Sequence, residues 1–139
     1  MAITVLTQCM VLIGGTDLSD HAAKVTIEDN RDSVDITAFG ATNKAVTKGL
    51  GDAKITVDFF QDFAAAKVHA VLQPLIGSST TTSVEIRPTS AARSTTNPAA
   101  LMQGLLMNYN MLDGSVGEAS KITAEFQNGS QTGMTYPTS

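Results

Sequence analysis

Asp17, Ser19, Asp20 and His21 hold, in one short run, the residue types that hydrolytic chemistry uses: carboxylates, a hydroxyl and an imidazole. A nucleophilic serine needs a base oriented on its hydroxyl and an oxyanion hole, and such partners come from separate elements brought together in space. Neighbours this close in sequence more often cap a turn, with Ser19 or Asp20 accepting backbone N–H groups. The expectation is a capped corner, with no catalytic residue and no enzymatic activity.

Metal and phosphate chemistry fare no better. With His 2 and Cys 1 in the whole chain, a structural zinc set cannot be assembled. His69 reads as a solvent-facing or interface residue. Glu28, Asp29, Asp32 and Asp35 lack the spacing and glycine of a calcium loop, and read as the charged, solvated edge of a sheet. Gly49-Leu50-Gly51 is not followed by the Gly-Lys-Ser/Thr of a phosphate loop. Cys9 lies in an apolar run without an adjacent base, so a buried, inert thiol is expected. Asn128-Gly129-Ser130 matches a glycosylation sequon only in letters. No metal site and no cofactor are expected.

Composition limits the partners. Charged residues make up only 16% and apolar ones 42%, and Ser and Thr fill the remainder, as suits strands, turns and a surface covered by neighbours. The net charge of −4 and dispersed Lys and Arg residues exclude a phosphate-gripping surface. Mild acidity would instead let DNA pass without adhering. No segment reaches the ~20 apolar residues of a membrane span. Met1-Ala2-Ile3-Thr4 carries no basic leader, so a soluble intracellular chain with no membrane partner is expected.

The elements that would carry these residues are mostly strands. Apolar and polar residues alternate over Lys54–Phe59, with Ile55, Val57 and Phe59 on one face. Strands are also read at Thr4–Ile13, Ala23–Glu28, Val34–Phe39, Val84–Arg87, Leu101–Leu112 and Lys121–Gln127. Asn30–Ser33 is read as a break, Gly40–Asp52 as a long connection, and Thr89–Pro98 as an exposed loop. One helix is read at about 63–75, capped by Asp62 and ended or bent by Pro74, with Val68, Val71, Leu72 and Leu75 as its apolar stripe. Met102, Met107 and Met111 read as core or interface filler. Together these give a mainly β fold, an antiparallel sandwich or barrel-like sheet with one flanking helix. They form a single domain over 1–139 with an extended or flexible tail at 128–139. Unpaired strand edges, low charge and a long glycine-spaced connection suit a subunit that pairs with copies of itself.

An ordered set of short motifs covers most of the chain: Gly-Gly-Thr-Asp-Leu-Ser-Asp-His at 14–21, Val-Asp-Ile-Thr-Ala-Phe-Gly at 34–40, Gly-Leu-Gly-Asp at 49–52 before Ile-Thr-Val-Asp-Phe, Phe-Gln-Asp-Phe-Ala-Ala at 60–65, Leu-Gln-Pro-Leu-Ile-Gly at 72–77, Val-Glu-Ile-Arg-Pro-Thr-Ser at 84–90 and Gly-Ser-Val-Gly-Glu at 114–118. In this pattern the chain resembles the major tail tube proteins of long-tailed bacteriophages, the small form from actinobacterial phages in particular. The resemblance implies a tail-tube fold, hexameric rings stacked into a hollow tube, and inner strands joined into a wall around a DNA conduit. It also implies a virion protein made in the host cytoplasm, with tape-measure, tail-tip and terminator proteins as further partners. In such tubes the long loop between the third and fourth strands reaches an adjacent ring. Carried onto this sequence, that loop offers Lys44, Val46, Lys48 and Leu50 as subunit contacts. A capsid decoration or minor capsid protein, or a tail terminator, remains the alternative on the same fold class; a small hydrolase using Ser19 and His21 is a third.

Overall fold

The computed structural model describes residues 3–139; Met1 and Ala2, where the leader expectation begins, lie outside the described residues. The elements run β1 (Met10–Ile13), β2 (Thr16–Asp17), β3 (Ala22–Asp35), β4 (Val46–Phe60), α1 (Val68–Ile76), β5 (Thr82–Arg87), β6 (Ala100–Tyr109) and β7 (Lys121–Asn128), with a 3-10 turn at Ser19–His21. The strands form one 7-stranded sheet in the order β2-β1-β5-β6-β7-β4-β3. Every pairing in it is antiparallel.

That order dictates curvature. β2 and β3 stand at opposite edges, which a flat sheet would hold roughly 29 Å apart at ~4.8 Å per strand. Yet Asp17 is joined to Ala22 by a stretch of chain that extends at most ~18 Å. The sheet must therefore roll up, which gives the barrel-like, mainly β architecture expected of the alternating strands. Where the rolled edges approach, residues from both line a shared groove, as Asp17 of β2 and Val25 of β3 do.

The core lies inside the roll. Ile55, Val57 and Phe59 of β4 are fully buried, as are Ile122, Ala124 and Phe126 of β7, and they pack with Val11, Ile13, Val84, Met102 and Leu106. These are the inward positions of alternating strands, so burial and register enforce each other. Helix α1 lies against β6 and buries Val68 and Leu72, one helical turn apart. Val71 and Leu75 pack more loosely on the same cluster.

Several expected boundaries shift for identifiable reasons. Ala23–Glu28 and Val34–Phe39 are not two strands; the polar run Asn30–Ser33 lies inside the 14-residue β3. A ribbon wet on both faces needs no apolar alternation, so polarity there was no break. Gly40–Asp52 is likewise a connection only as far as Ala45, since β4 begins at Val46. A bulge falls where β3 steps from Arg31 to Ser33 and β4 from Gly51 to Lys48. Gly49 belongs to that bulge: a Cβ there would sit 3.0 Å from the Val34 side chain.

At the N-terminal side only Met10–Ile13 of the expected Thr4–Ile13 strand is formed. Met10 pairs with Arg87, the last residue of β5, and Pro88 beyond it has no N–H to extend the ladder. The helix starts at Val68 rather than near residue 63, because Ala66 takes the left-handed conformation (φ 61) and interrupts the path. Asp62 does not cap it; its carboxylate accepts the Ala64 N–H at 2.9 Å. Strand β6 buries Met102, Gly104 and Leu106. A register shift between Leu106 and Asn108 then turns Tyr109 partly inward and leaves Met107 exposed.

Thr89–Pro98 is more ordered than an exposed loop. Asn97 is buried and ties it together, donating to the Ala91 carbonyl at 2.9 Å and accepting from the Thr89 N–H at 3.1 Å. Beneath it the buried Glu85 carboxylate meets the guanidinium groups of Arg87 and Arg93. Past Asn128 the chain returns beside β6, where Leu101 and Thr135 exchange two backbone hydrogen bonds of 2.9 Å, and Met134 is buried.

Candidate assembly surface

The hydrolase-like residues are brought near one another but not into a catalytic relay. Ser19 Oγ donates to Asp17 and accepts the Val11 N–H at 2.9 Å. It thereby satisfies the Val11 N–H where β1 runs past the two-residue β2, and the Ser19 hydroxyl has no hydrogen bond to His21. The imidazole instead lies between two carboxylates, Nδ1 2.8 Å from Asp20 and Nε2 2.8 Å from Asp62. Burial pulls its pKa down, but hydrogen bonding and charge from Asp20 and Asp62 outweigh this and hold it above the usual histidine value. His21 is a hydrogen-bonded clamp between the β2–β3 corner and the β4–α1 connection.

The other chemically suggestive residues have structural roles. His69 is not free toward solvent: Nδ1 is 2.8 Å from the Tyr109 hydroxyl, and its ring leans on Phe63 at 5.1 Å. Cys9 is only half-buried beside the core, and burial pushes its pKa up, away from thiolate reactivity. Glu28, Asp29, Asp32 and Asp35 lie on β3, the outermost strand, which fits a charged sheet edge. Among the described residues no group of three or more His, Cys, Asp or Glu gathers as a metal site. No helix among them is long and apolar enough to cross a membrane.

The conspicuous surface is the far part of the β3–β4 hairpin. β7 pairs with β4 only from Lys54 onward, so residues 30–52 form a two-stranded arm with no third strand among the described residues. Such a ribbon is at best marginal alone in water. Its backbone is nonetheless closed at the tip: the Ile36 N–H donates to the Ala45 carbonyl at 3.0 Å and the Ala45 N–H to Thr37 Oγ1 at 2.8 Å. The tip and shaft carry exposed apolar side chains, Val34, Ile36, Phe39, Val46 at 63% and Leu50 at 82% exposure. Lys44 and Lys48 are exposed beside them. At the arm's base Tyr136 donates to Asp29 at 2.6 Å, and Asp29 also pairs with Arg31. Those hydrogen bonds, the one from Tyr136 foremost, hold the Asp29 carboxyl below the usual range.

A second apolar surface lies at the other end of β4. Phe60, Phe63, Met107, Met111, Leu112 and Val116 are exposed there, around the β6–β7 connection. That connection is braced. Ser120 Oγ donates to the Asp113 carbonyl at 2.8 Å, the Gln61 N–H donates to the Ser120 carbonyl at 2.9 Å, and the Gln61 amide reaches the Tyr109 hydroxyl at 3.0 Å. Reading the sequence alone missed Phe60, Phe63, Leu112 and Val116. The Met111-Leu112 pair directly before the Asp113-Gly114 turn was the available signal, since apolar side chains in a turn have no core to enter.

No family model and no curated protein matches the sequence. Solved structures do match its shape. A chain in the virion of a native gene transfer agent particle superposes with a TM-score of 0.73 at 8% identity, covering 94% of this chain and 95% of that one. This chain shares its fold with a virion component. A second match comes from the tail of an empty gene transfer agent particle, refined helically with C6 symmetry. Its TM-score is 0.69 at 11% identity, over 91% of this chain and 95% of that one. Both likenesses run nearly end to end, so the arm and the rolled sheet are compared together.

Proposed function

We propose that the protein is a structural subunit of a phage-type tail, whose copies close into rings that stack into a tube for DNA passage. The observation that carries this reading is the arm: a two-stranded ribbon with exposed apolar side chains and no core of its own, on a fold shared nearly end to end with a tail chain. A ribbon of this kind gains its stabilisation by being covered, at roughly 25 cal/mol per Å² of apolar area removed from water. The sixfold symmetry of the similar tail makes six the ring size proposed here. In this reading Lys44, Val46, Lys48 and Leu50 contact a neighbouring ring, and the free edge of β3 joins a sheet in the same ring.

The protein works by enclosing rather than reacting. A net charge of −4 in each copy disfavours DNA adhesion, so the genome would slide through the lumen without specific contacts. Its location would be the virion tail after synthesis in the host cytoplasm, and its partners other tail proteins: a tape-measure protein inside, a tip complex that starts the tube and a terminator that ends it.

Negative-stain electron microscopy of the purified chain tests the proposal. Rings or tubes with sixfold symmetry, with or without a tip complex as nucleus, are the expected result. A discrete trimer that never polymerises would instead favour a capsid decoration protein, and a monomer at all concentrations would refute assembly altogether.

A further inference from the structure

The arm tip and the β6–β7 connection stand at opposite ends of the same strand. From Val46 to Phe60 along β4 is about 46 Å at ~3.3 Å per residue, so an arm cannot reach the apolar end of its own subunit. Each surface nevertheless fits the other. Around the tip, residues 35–48 carry Lys44, Lys48 and one carboxylate, Asp35, which is engaged by the Thr37 N–H; between residues 110 and 120 the charged side chains are Asp113 and Glu118. Apolar side chains stand among each pair of charges: Ile36 and Phe39 on the tip, Leu112 and Val116 on the connection, all exposed.

We propose that the β6–β7 connection of one copy is the seat for the arm tip of the next copy, docked by apolar contact and by pairing Lys44 and Lys48 with Asp113 and Glu118. This rests on the tail reading above and adds the receiving surface to it. Two different patches on opposite ends make a heterologous contact, which propagates into a filament rather than closing as a dimer. The seat is already set by Ser120 and Gln61, and the tip by Thr37 and Asp35, whose carboxylate accepts the Thr37 N–H at 2.9 Å. Docking would therefore order little that is not ordered beforehand. Seat-to-seat pairing would face carboxylates with carboxylates and is disfavoured.

The test is a charge swap. K44E/K48E places like charges on tip and seat, and so does D113K/E118K; all four side chains are exposed, so both variants should keep the parent's thermal midpoint. Each alone should raise the concentration needed for tube formation at least tenfold while leaving single rings intact. Mixing the two variants should restore tubes of alternating rings, and the fourfold variant should restore them in one chain. If the parent forms tubes and the variants stack as readily, or the mixture stays dispersed, the seat assignment is wrong while the tail reading stands. A parent that forms neither rings nor tubes defeats both.

Discussion

His21 Nε2 lies 2.8 Å from Asp62 Oδ2, joining two corners that are 41 residues apart in the chain. With Asp20 on the other ring nitrogen, the imidazole bridges the 3-10 turn and the exit from β4. Both corners stand at the end of the molecule that carries Phe60 and Phe63, so the clamp fixes the frame around the proposed seat.

The clamp has a pH signature. The pKa of His21 is raised in the folded state, so its stabilisation is complete below the unfolded value, ~6.5, and fades as pH rises through the folded value. Asp62 moves the other way: the Ala64 N–H first, then His21, hold its pKa down. Its stabilisation is present above the unfolded value, ~3.9, and is lost as pH falls through the folded one. Thermal midpoints should therefore be highest between about pH 4 and 6.5 and decline as pH rises through the folded value of His21. H21Q should remove most of the alkaline decline and lower the midpoint at pH 6 by about 3–8 °C.

Core truncation should unfold the subunit. Phe126 and Phe59 are fully buried on β7 and β4, and Phe126→Ala or Phe59→Ala should each cost about 3–5 kcal/mol. Urea denaturation followed by circular dichroism gives the value.

Arm substitutions should separate folding from assembly. Phe39 is fully exposed and Leu50 nearly so, so Phe39→Ser and Leu50→Ser should change monomer stability by no more than about 0.5 kcal/mol. Each should weaken ring stacking by about 1–2 kcal/mol per contact, read as a higher onset concentration in light scattering.

Tyr136 should act as a positioning residue for the arm. Tyr136→Phe removes the hydroxyl that donates to Asp29 and leaves the ring in place. Hydrogen exchange of the backbone amides in residues 29–35 should accelerate several-fold, with the amides of β7 unchanged.

The sequence made the barrel interior readable because alternation in β4 and β7 is enforced by burial on one face. It left the arm half hidden. Asn30–Ser33 is polar on a ribbon with no buried face, so periodicity, which reports burial, had nothing to report there. The bulge at Gly49 and the register shift at Met107 each displace side chains from simple alternation. Neither has a periodic signature; glycine at 49 was the lone hint. The helix start was misplaced for a similar local reason, since an alanine at 66 gives no notice of a left-handed turn. The suggested contacts Lys44, Val46, Lys48 and Leu50 do fall on one continuous exposed arm, but the apolar end of β4 emerged only once Phe60 and the β6–β7 connection were seen together in space.

Cryo-electron microscopy of the assembled parent chain addresses the central claim most directly. The account predicts a tube of stacked rings in which the tip of every arm, around Phe39, rests on residues 110–120 of the next ring. Subunits that remain solitary, or arms folded back on their own copy or paired with each other, would contradict it.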